Sequence, residues 1–157
     1  MLTAAIAIAA IGLAIQAASA ADLRDAMSAP LGAAEVADIY SDKTWRWEDG
    51  AGYFGRGGEF KAWSTDDTGT PGYGTGRWTS DDAGRLCFNA TWQYGSNSTQ
   101  VSECFGHRRA DGALYQRVEP TGEWYAFRSQ PIQPDDEINR IMAGDEVTSR
   151  IEEIRSQ

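Results

Sequence analysis

The two cysteines, Cys87 and Cys104, carry the clearest chemical information in the sequence. Residues 95–96 between them read Gly-Ser, which suits a two-residue hairpin turn with glycine at its first position. With Tyr94 opposite Asn97, counting outward brings Cys87 directly opposite Cys104 on a non-hydrogen-bonded pair. The Cα atoms of such a pair lie about 4.5 Å apart, within reach of a disulfide. The sequence therefore predicts a structural disulfide, because the spacing is not the C-x-x-C of redox-active pairs.

The same register divides the side chains of the hairpin between two faces. Leu86, Phe88, Ala90, Trp92 and Tyr94 share one face with Val101 and Phe105. The opposite face is polar apart from the cysteines, so we expect the first face to be core. Glu103 falls on the apolar face opposite Phe88, where we expect either a salt bridge to an arginine or exposure at a barrel rim.

Six tryptophans are the second chemical signal. They are Trp45, Trp47, Trp63, Trp78, Trp92 and Trp124. In small barrels, aromatic side chains either fill the core or line the mouth of a ligand cavity. Both roles stay open here, and all six residues are candidates for a site that binds a glycan, a peptide or a lipid.

The sequence contains few candidates for catalytic or metal-binding residues. His107 is the only histidine, so a zinc site or a catalytic triad would have to use it. Zinc sites recruit several His or Cys ligands, and both cysteines are predicted to be oxidised, so we expect no metal and no cofactor. The candidates for the paired carboxylates of glycoside hydrolysis are Glu59, Glu103, Glu119 and Glu123. Since the sequence does not place two of them across a cleft, a non-enzymatic role is favoured.

The segment from residue 43 to residue 128 has the pattern of an antiparallel meander. Short runs rich in Trp, Tyr, Phe, Thr and Val alternate with glycine and aspartate clusters. The predicted strands are 43–48, 52–54, 59–64, 73–80, 84–94, 99–107, 113–118 and 123–128. Glycines inside strands, as at 74–76, indicate bends or close backbone approach.

Eight short strands with hairpin links favour a small, lipocalin-like barrel, because closure removes exposed edges. An open sheet covered by the terminal helices is the alternative. Apolar residues at helical spacing predict flanking helices at 33–40 and 135–154, the second broken or bent at Gly144.

The N-terminal sequence predicts that the protein is exported from the cytoplasm. Residues 1–20 form an apolar stretch without charged side chains that ends in Ala-Ser-Ala, which is typical of a signal peptide cleaved after Ala20. A membrane anchor is the alternative, although the apolar run is short for a bilayer. We divide the rest into an N-terminal segment with a short helix at 21–42, a β domain at 43–128 and a C-terminal linker with an acidic helix at 129–157.

The net charge is −9, from 23 acidic and 14 basic residues. Because phosphate neutralisation needs a basic face, this charge argues against a general nucleic-acid binder. We expect a periplasmic or secreted protein that contacts the membrane only through its uncleaved signal peptide.

Several short blocks together resemble a known family. They read K-T-W-R-W at 43–47, G-T-G-R-W at 74–78, G-R-L-C-F-N-A-T-W at 84–92 and G-E-W-Y at 122–125. Over residues 33–128 the chain resembles a bacterial exported family catalogued as domain of unknown function 995. The resemblance implies a periplasmic location and transfers no catalytic residues.

These observations favour a non-enzymatic binding or accessory protein of the bacterial envelope, whose partner is an unidentified envelope ligand or protein. A periplasmic inhibitor of a lysozyme or protease is the first alternative, because small disulfide-bearing β-barrels serve that role. A carbohydrate-active enzyme with paired glutamates is the second alternative.

Overall fold

The structure is a computed structural model that describes residues 28–156. The strands are β1 (Ala29–Pro30), β2 (Lys43–Trp47), β3 (Gly50–Phe54), β4 (Glu59–Thr65), β5 (Pro71–Ser80), β6 (Arg85–Tyr94), β7 (Asn97–Ala110), β8 (Ala113–Val118), β9 (Tyr125–Arg128) and β10 (Ile141–Ala143). The helices are α1 (Ala33–Tyr40) and α2 (Thr148–Arg155), and a single 3₁₀ turn covers Glu137–Arg140. The predicted signal peptide at 1–20 lies outside the described residues.

Each strand from β2 to β9 pairs with the next one along the chain, so the sheet is the predicted antiparallel meander. All eight predicted strands are present, and the two additional strands are short: β1 pairs with β7, and β10 pairs with β2. The sheet curls into a half-barrel, which confirms the mainly-β fold with short helical flanks. Its edge strands, β9 and β10, do not pair with each other within residues 28–156.

The β6–β7 hairpin has the predicted register. Tyr94 lies opposite Asn97, Gly95 in the turn has a φ of +56°, and Cys87 lies opposite Cys104. The two cysteines form a disulfide, and their Cα atoms are 4.1 Å apart. Because a two-residue turn fixes the pairing of both strands, the predicted division of their side chains between two faces is confirmed as well.

Helix α1 closes one end of the half-barrel. Its apolar side buries Val36 and Tyr40 completely, and it lies against β2, β5 and β6. The first turn of a helix leaves backbone N–H groups without partners. Here the N–H of Ala33 donates to the carboxylate of Asp82, 3.0 Å away in the β5–β6 turn. This bond ties the start of α1 to the sheet.

The helix predicted over 135–154, broken or bent at Gly144, is present only after that glycine. Only α2 is α-helical, and the segment before it forms the 3₁₀ turn and then β10. Strand β10 forms because β2 has an unpaired edge, on which Ile141 pairs with Trp45. The predicted break at Gly144 is confirmed, since that residue has a φ of +83° and its carbonyl accepts a hydrogen bond from Thr44 Oγ1 at 2.7 Å.

Helix α2 packs on the convex face of the sheet, against β4 and β5. Val147 and Ile151 form a second buried cluster there with Ala51 and Tyr53, and Trp63 packs against it. This cluster explains why β3 is apolar on both faces. No helix within residues 28–156 combines the length and the hydropathy that a membrane span requires.

Candidate functional site

A cavity of about 460 Å³ lies inside the half-barrel, toward the end away from α1. Twelve of the described residues line it, and eight of these are aromatic. The other four are Ser64, Thr99, Val101 and Glu103. The cavity is partly open to solvent and its wall is mainly apolar, so it can take the apolar body of a ligand and offers few polar groups to orient it.

The alternation of side chains along β6 and β7 directs the lining residues inward. Phe88 and Trp92 of β6 and Glu103 and Phe105 of β7 all line the cavity, while the disulfide lies on the opposite face. The apolar face that the hairpin register predicts is therefore part of the cavity wall as well as part of the core.

Glycines on the neighbouring strand make room for the largest rings. Gly74 lies opposite Trp92, and a Cβ atom on Gly74 would come within 2.7 Å of the indole ring. Gly72 has the same relation to Tyr94, at 2.4 Å. Since no side chain tolerates such a distance, these glycines let the rings lie close to the backbone of β5. This is the close approach that glycines inside strands predict.

Contacts between rings hold the lining in place. Phe60 and Phe88 are stacked, with ring centroids 4.4 Å apart and an interplanar angle of 13°. Trp45 and Phe105 meet edge to face at 4.9 Å. The second contact connects β2 to β7, which are not neighbours in the sheet, and so narrows the opening of the half-barrel.

Four of the six candidate tryptophans lie on the concave side. Trp45, Trp47 and Trp92 line the cavity. Trp78 is buried beyond it, where its indole N–H donates to the carbonyl of Gly55 at 2.8 Å. The concave tryptophans thus divide into three that face the cavity and one that fills the core.

The remaining two tryptophans lie on the convex side. Trp63 packs beside α2, with the guanidinium of Arg150 at 5.4 Å from its ring centroid. Trp124 has the guanidinium groups of Arg108 and Arg117 at 5.6 Å and 4.6 Å from its ring. Both rings stack on cationic side chains of the same chain and take no part in the cavity.

Glu103 is the only carboxylate among the described cavity residues. It is half-buried and lies directly opposite Phe88. Burial raises the pKa of its carboxyl above the usual value. Within the described part of the chain its carboxylate has no hydrogen bond and no ion pair. Of the two expectations for Glu103, partial exposure beside the cavity therefore agrees with the structure, and the arginine salt bridge does not.

The other candidate glutamates lie elsewhere. Glu119 forms an ion pair with Arg117 at 3.0 Å. Glu59 is exposed at the start of β4, and Glu123 is exposed in the loop before β9. Among the described lining residues no second glutamate accompanies Glu103, although Glu137 accepts a hydrogen bond from the indole N–H of Trp45 at 2.7 Å.

A buried polar cluster lies at the end closed by α1, where Tyr40, His107 and Gln116 are fully buried. The Gln116 amide donates to Tyr40 Oη at 2.7 Å, and Tyr40 Oη lies 2.8 Å from His107 Nε2. His107 Nδ1 lies 3.0 Å from the carbonyl of Gly84. The hydroxyl of Tyr125 donates to Gln116 Oε1.

These bonds fix the protonation of His107. A carbonyl oxygen can only accept, so Nδ1 carries the proton and Nε2 is an acceptor. Burial lowers the pKa of His107 to about 4. Both ring nitrogens are engaged inside the fold, so the only histidine packs in the core. No sequence pattern indicates its partner Tyr40, which lies 67 residues away along the chain.

One side of the cavity opening is an unpaired strand edge. Strand β8 pairs with β7 only from Phe105 to Ala110, so residues 97–103 pair with β6 alone in the described part of the chain. The exposed side chains on this edge are polar: Asn97, Ser98, Thr99, Gln100 and Ser102. Polar side chains of this kind make an open edge less prone to pair with other chains.

Comparison with known proteins finds one family. The model described as "Protein of unknown function (DUF995)" matches residues 8–147, which is most of the chain. No curated protein and no solved structure matches the chain significantly.

Proposed function

The chain belongs to the DUF995 family of proteins of unknown function, and we propose that it is an exported envelope protein that binds a ligand with an apolar body in the half-barrel cavity. In this proposal the protein carries or sequesters its ligand without a chemical step. Trp45, Trp47 and Trp92 are the tryptophans that contact the ligand.

The observation that supports this proposal is the cavity itself. A volume of about 460 Å³ with a mainly aromatic wall falls within the roughly 300–1,000 Å³ range of ligand pockets. The glycines of β5 and the contacts between rings hold the wall in this shape, so the cavity is a feature of the folded sheet.

Export is supported by two independent features. The disulfide joins two strands of one sheet, and such bonds persist in oxidising compartments such as the bacterial periplasm. The first 20 residues have the composition of a signal peptide. A disulfide-bonded binding protein of the envelope accounts for both features.

The two alternatives have less support from the site. A glycosidase needs two carboxylates across a cleft, and Glu103 is the only one among the described cavity residues. An inhibitor of a lysozyme or protease would act through an exposed loop on a rigid frame. That hypothesis gives no role to the cavity.

Blocking the cavity tests the proposal. Val101 lines the cavity, whereas its neighbour Ser102 is exposed on the opposite, convex face of β7, where it pairs with Asn89. In the Val101→Trp variant we expect the affinity for N-phenylnaphthylamine, a neutral apolar probe that fluoresces in apolar sites, to fall at least about tenfold. The Ser102→Trp variant adds the same indole on the opposite face of the same strand and keeps the wild-type affinity.

The probe is titrated into the mature wild-type protein and both variants, and its emission is recorded. Folding of each variant is checked by circular dichroism before the titration. If the probe fails to bind the wild-type protein, or if Val101→Trp binds it as tightly as Ser102→Trp does, the proposal is wrong.

A further inference from the structure

The polar end of the ligand can be inferred from Glu103, the one charged side chain among the described residues of the cavity wall. We propose that the ligand is an amphiphile that ends in an ammonium group, and that the Glu103 carboxylate binds this group while the aromatic wall holds the apolar chain. This inference rests on the proposed function, because it specifies the ligand of the same cavity.

The position of Glu103 is the first support. It sits in the middle of β7, directly opposite Phe88, and Phe105 follows it two residues later on the same face. Its carboxylate therefore projects beside aromatic rings. No described residue offers it a hydrogen bond or a counter-ion.

The lack of any basic group in the wall is the second support. No lysine, arginine or histidine is among the described residues that line the cavity. A carboxylate that is partly removed from water loses solvation, and an ammonium group beside it restores a favourable partner. The raised pKa of Glu103 is a sign of the same lost solvation.

The rings around the carboxylate add attraction for a cation. An ammonium group within about 6 Å of the face of an aromatic ring is attracted by the ring quadrupole, most strongly by tryptophan. Trp45 contacts Phe105 edge to face, so an indole lies close to the β7 wall that carries Glu103. A carboxylate and indole rings together form the chemistry that recognises ammonium groups.

The same arrangement disfavours a fatty-acid anion. Its carboxylate would meet Glu103 in a wall whose described residues include no basic side chain, and like charges close together in a partly apolar site repel. An uncharged alcohol of the same chain length gains the apolar contacts without the ion pair. The three head groups therefore give a predicted order of affinity: amine, then alcohol, then carboxylate.

Three probes with the same alkyl chain test this order. Decylamine, decanol and decanoate are each used, below their micelle concentrations, to displace N-phenylnaphthylamine from the mature protein at neutral pH. We expect decylamine to bind about tenfold more tightly than decanol, the scale of one partly buried charge pair. Decanoate should bind more weakly than decanol.

Two variants separate Glu103 from the general acidity of the protein. In Glu103→Gln, decylamine should bind no more tightly than decanol. Glu152→Gln is the matched control, because Glu152 is exposed on α2 and its replacement removes one negative charge from the convex side. This control should keep the wild-type preference for the amine.

Each outcome bears on one of the two proposals. Displacement by all three probes with equal affinity, or an unchanged amine preference in Glu103→Gln, overturns the ammonium inference and leaves the binding function standing. An equal loss of preference in Glu103→Gln and Glu152→Gln also overturns it, because it assigns the preference to net charge. If N-phenylnaphthylamine itself does not bind, the proposed function fails and the inference fails with it.

Discussion

A buried cluster of three polar side chains is held together by mutual hydrogen bonds among His107, Tyr40 and Gln116. The histidine is fully buried and accepts a hydrogen bond at Nε2, so it must stay neutral in the folded state. Protonation would place a second N–H where an acceptor is required. At the scale of single residues, this makes the stability of the fold depend on pH.

We expect the free energy of unfolding to fall as pH drops through the window between the two pKa values of His107. The unfolded chain binds the proton from about pH 6.5 downward, whereas the folded protein binds it only near pH 4. The stability that the neutral His107 contributes is therefore fully present above pH 6.5 and is lost as the pH falls toward 4. Linkage between proton binding and folding gives the free energy of unfolding a slope of about 1.4 kcal/mol per pH unit in this window. The total loss is about 3 kcal/mol. Urea unfolding of the mature protein at several pH values measures it.

The His107→Gln variant supplies the control for this prediction. It removes the titrating group, so its stability should be lower at neutral pH but should lack this slope. Glu103 acts in the opposite sense, because its raised pKa favours the folded state as pH falls. Glu103 is present in both proteins, so the difference between their curves isolates His107. Parallel curves from pH 7 to pH 4 would contradict the account.

At the scale of elements, the β6–β7 hairpin and the C-terminal segment show what the sequence can and cannot predict. The hairpin register follows from the turn at 95–96, which is local, so the positions of Cys87 and Glu103 could be predicted. Strand β10 depends on a vacant edge of β2 almost a hundred residues away. Helical spacing of isoleucines alone cannot reveal such a partner, so the part of the predicted helix before Gly144 forms a 3₁₀ turn and β10 instead.

Helix α1 likewise has features that the sequence predicts and features that it does not. Its boundaries, Ala33–Tyr40, match the prediction because its apolar side is visible in the spacing of Val36 and Tyr40. The bond that fixes its first turn comes from Asp82, which is 49 residues away. The sequence also could not decide whether the tryptophans fill the core or line a cavity, since that depends on how far the sheet curls.

The glycine–aromatic pairs between β5 and β6 lead to a prediction about the cavity wall. In Gly74→Ala, the added Cβ would lie 2.7 Å from the indole of Trp92, so the ring must move. Overpacking of this kind costs typically about 1–3 kcal/mol. We expect a loss of stability in that range in urea unfolding, together with a shifted emission from the displaced indole.

Gly32→Ala is the matched control for this substitution. Gly32 has a φ of −72°, and a Cβ there would meet its nearest atom at an ordinary 3.7 Å. Its stability should change by less than about 0.5 kcal/mol, as is usual for surface substitutions. Equal effects of the two substitutions would show that Gly74 is not needed to seat the ring.

At the scale of the whole molecule, the two ends of the half-barrel differ in character. One end is closed by α1 over the buried cluster of Tyr40, His107 and Gln116, where every polar group is paired. The other end holds the aromatic cavity and borders an edge of β7 that β8 does not cover. In the proposed function, the ligand enters through the partly open apolar end, and the end closed by α1 takes no part in binding.

The six tryptophans are built-in reporters of where a ligand binds, because each indole N–H gives its own signal in a two-dimensional ¹⁵N–¹H spectrum. Trp45, Trp47 and Trp92 line the cavity, while Trp63 and Trp124 lie on the convex side. Single Trp→Phe variants assign the signals.

Titration of the mature protein with N-phenylnaphthylamine should shift the indole signals of the three cavity tryptophans, Trp45, Trp47 and Trp92, in a saturable way. The signals of Trp63 and Trp124 should stay in place, since these rings are packed against arginines outside the cavity. Saturable shifts confined to the convex tryptophans, or no shift at the three cavity tryptophans at saturating probe, would contradict ligand binding inside the half-barrel.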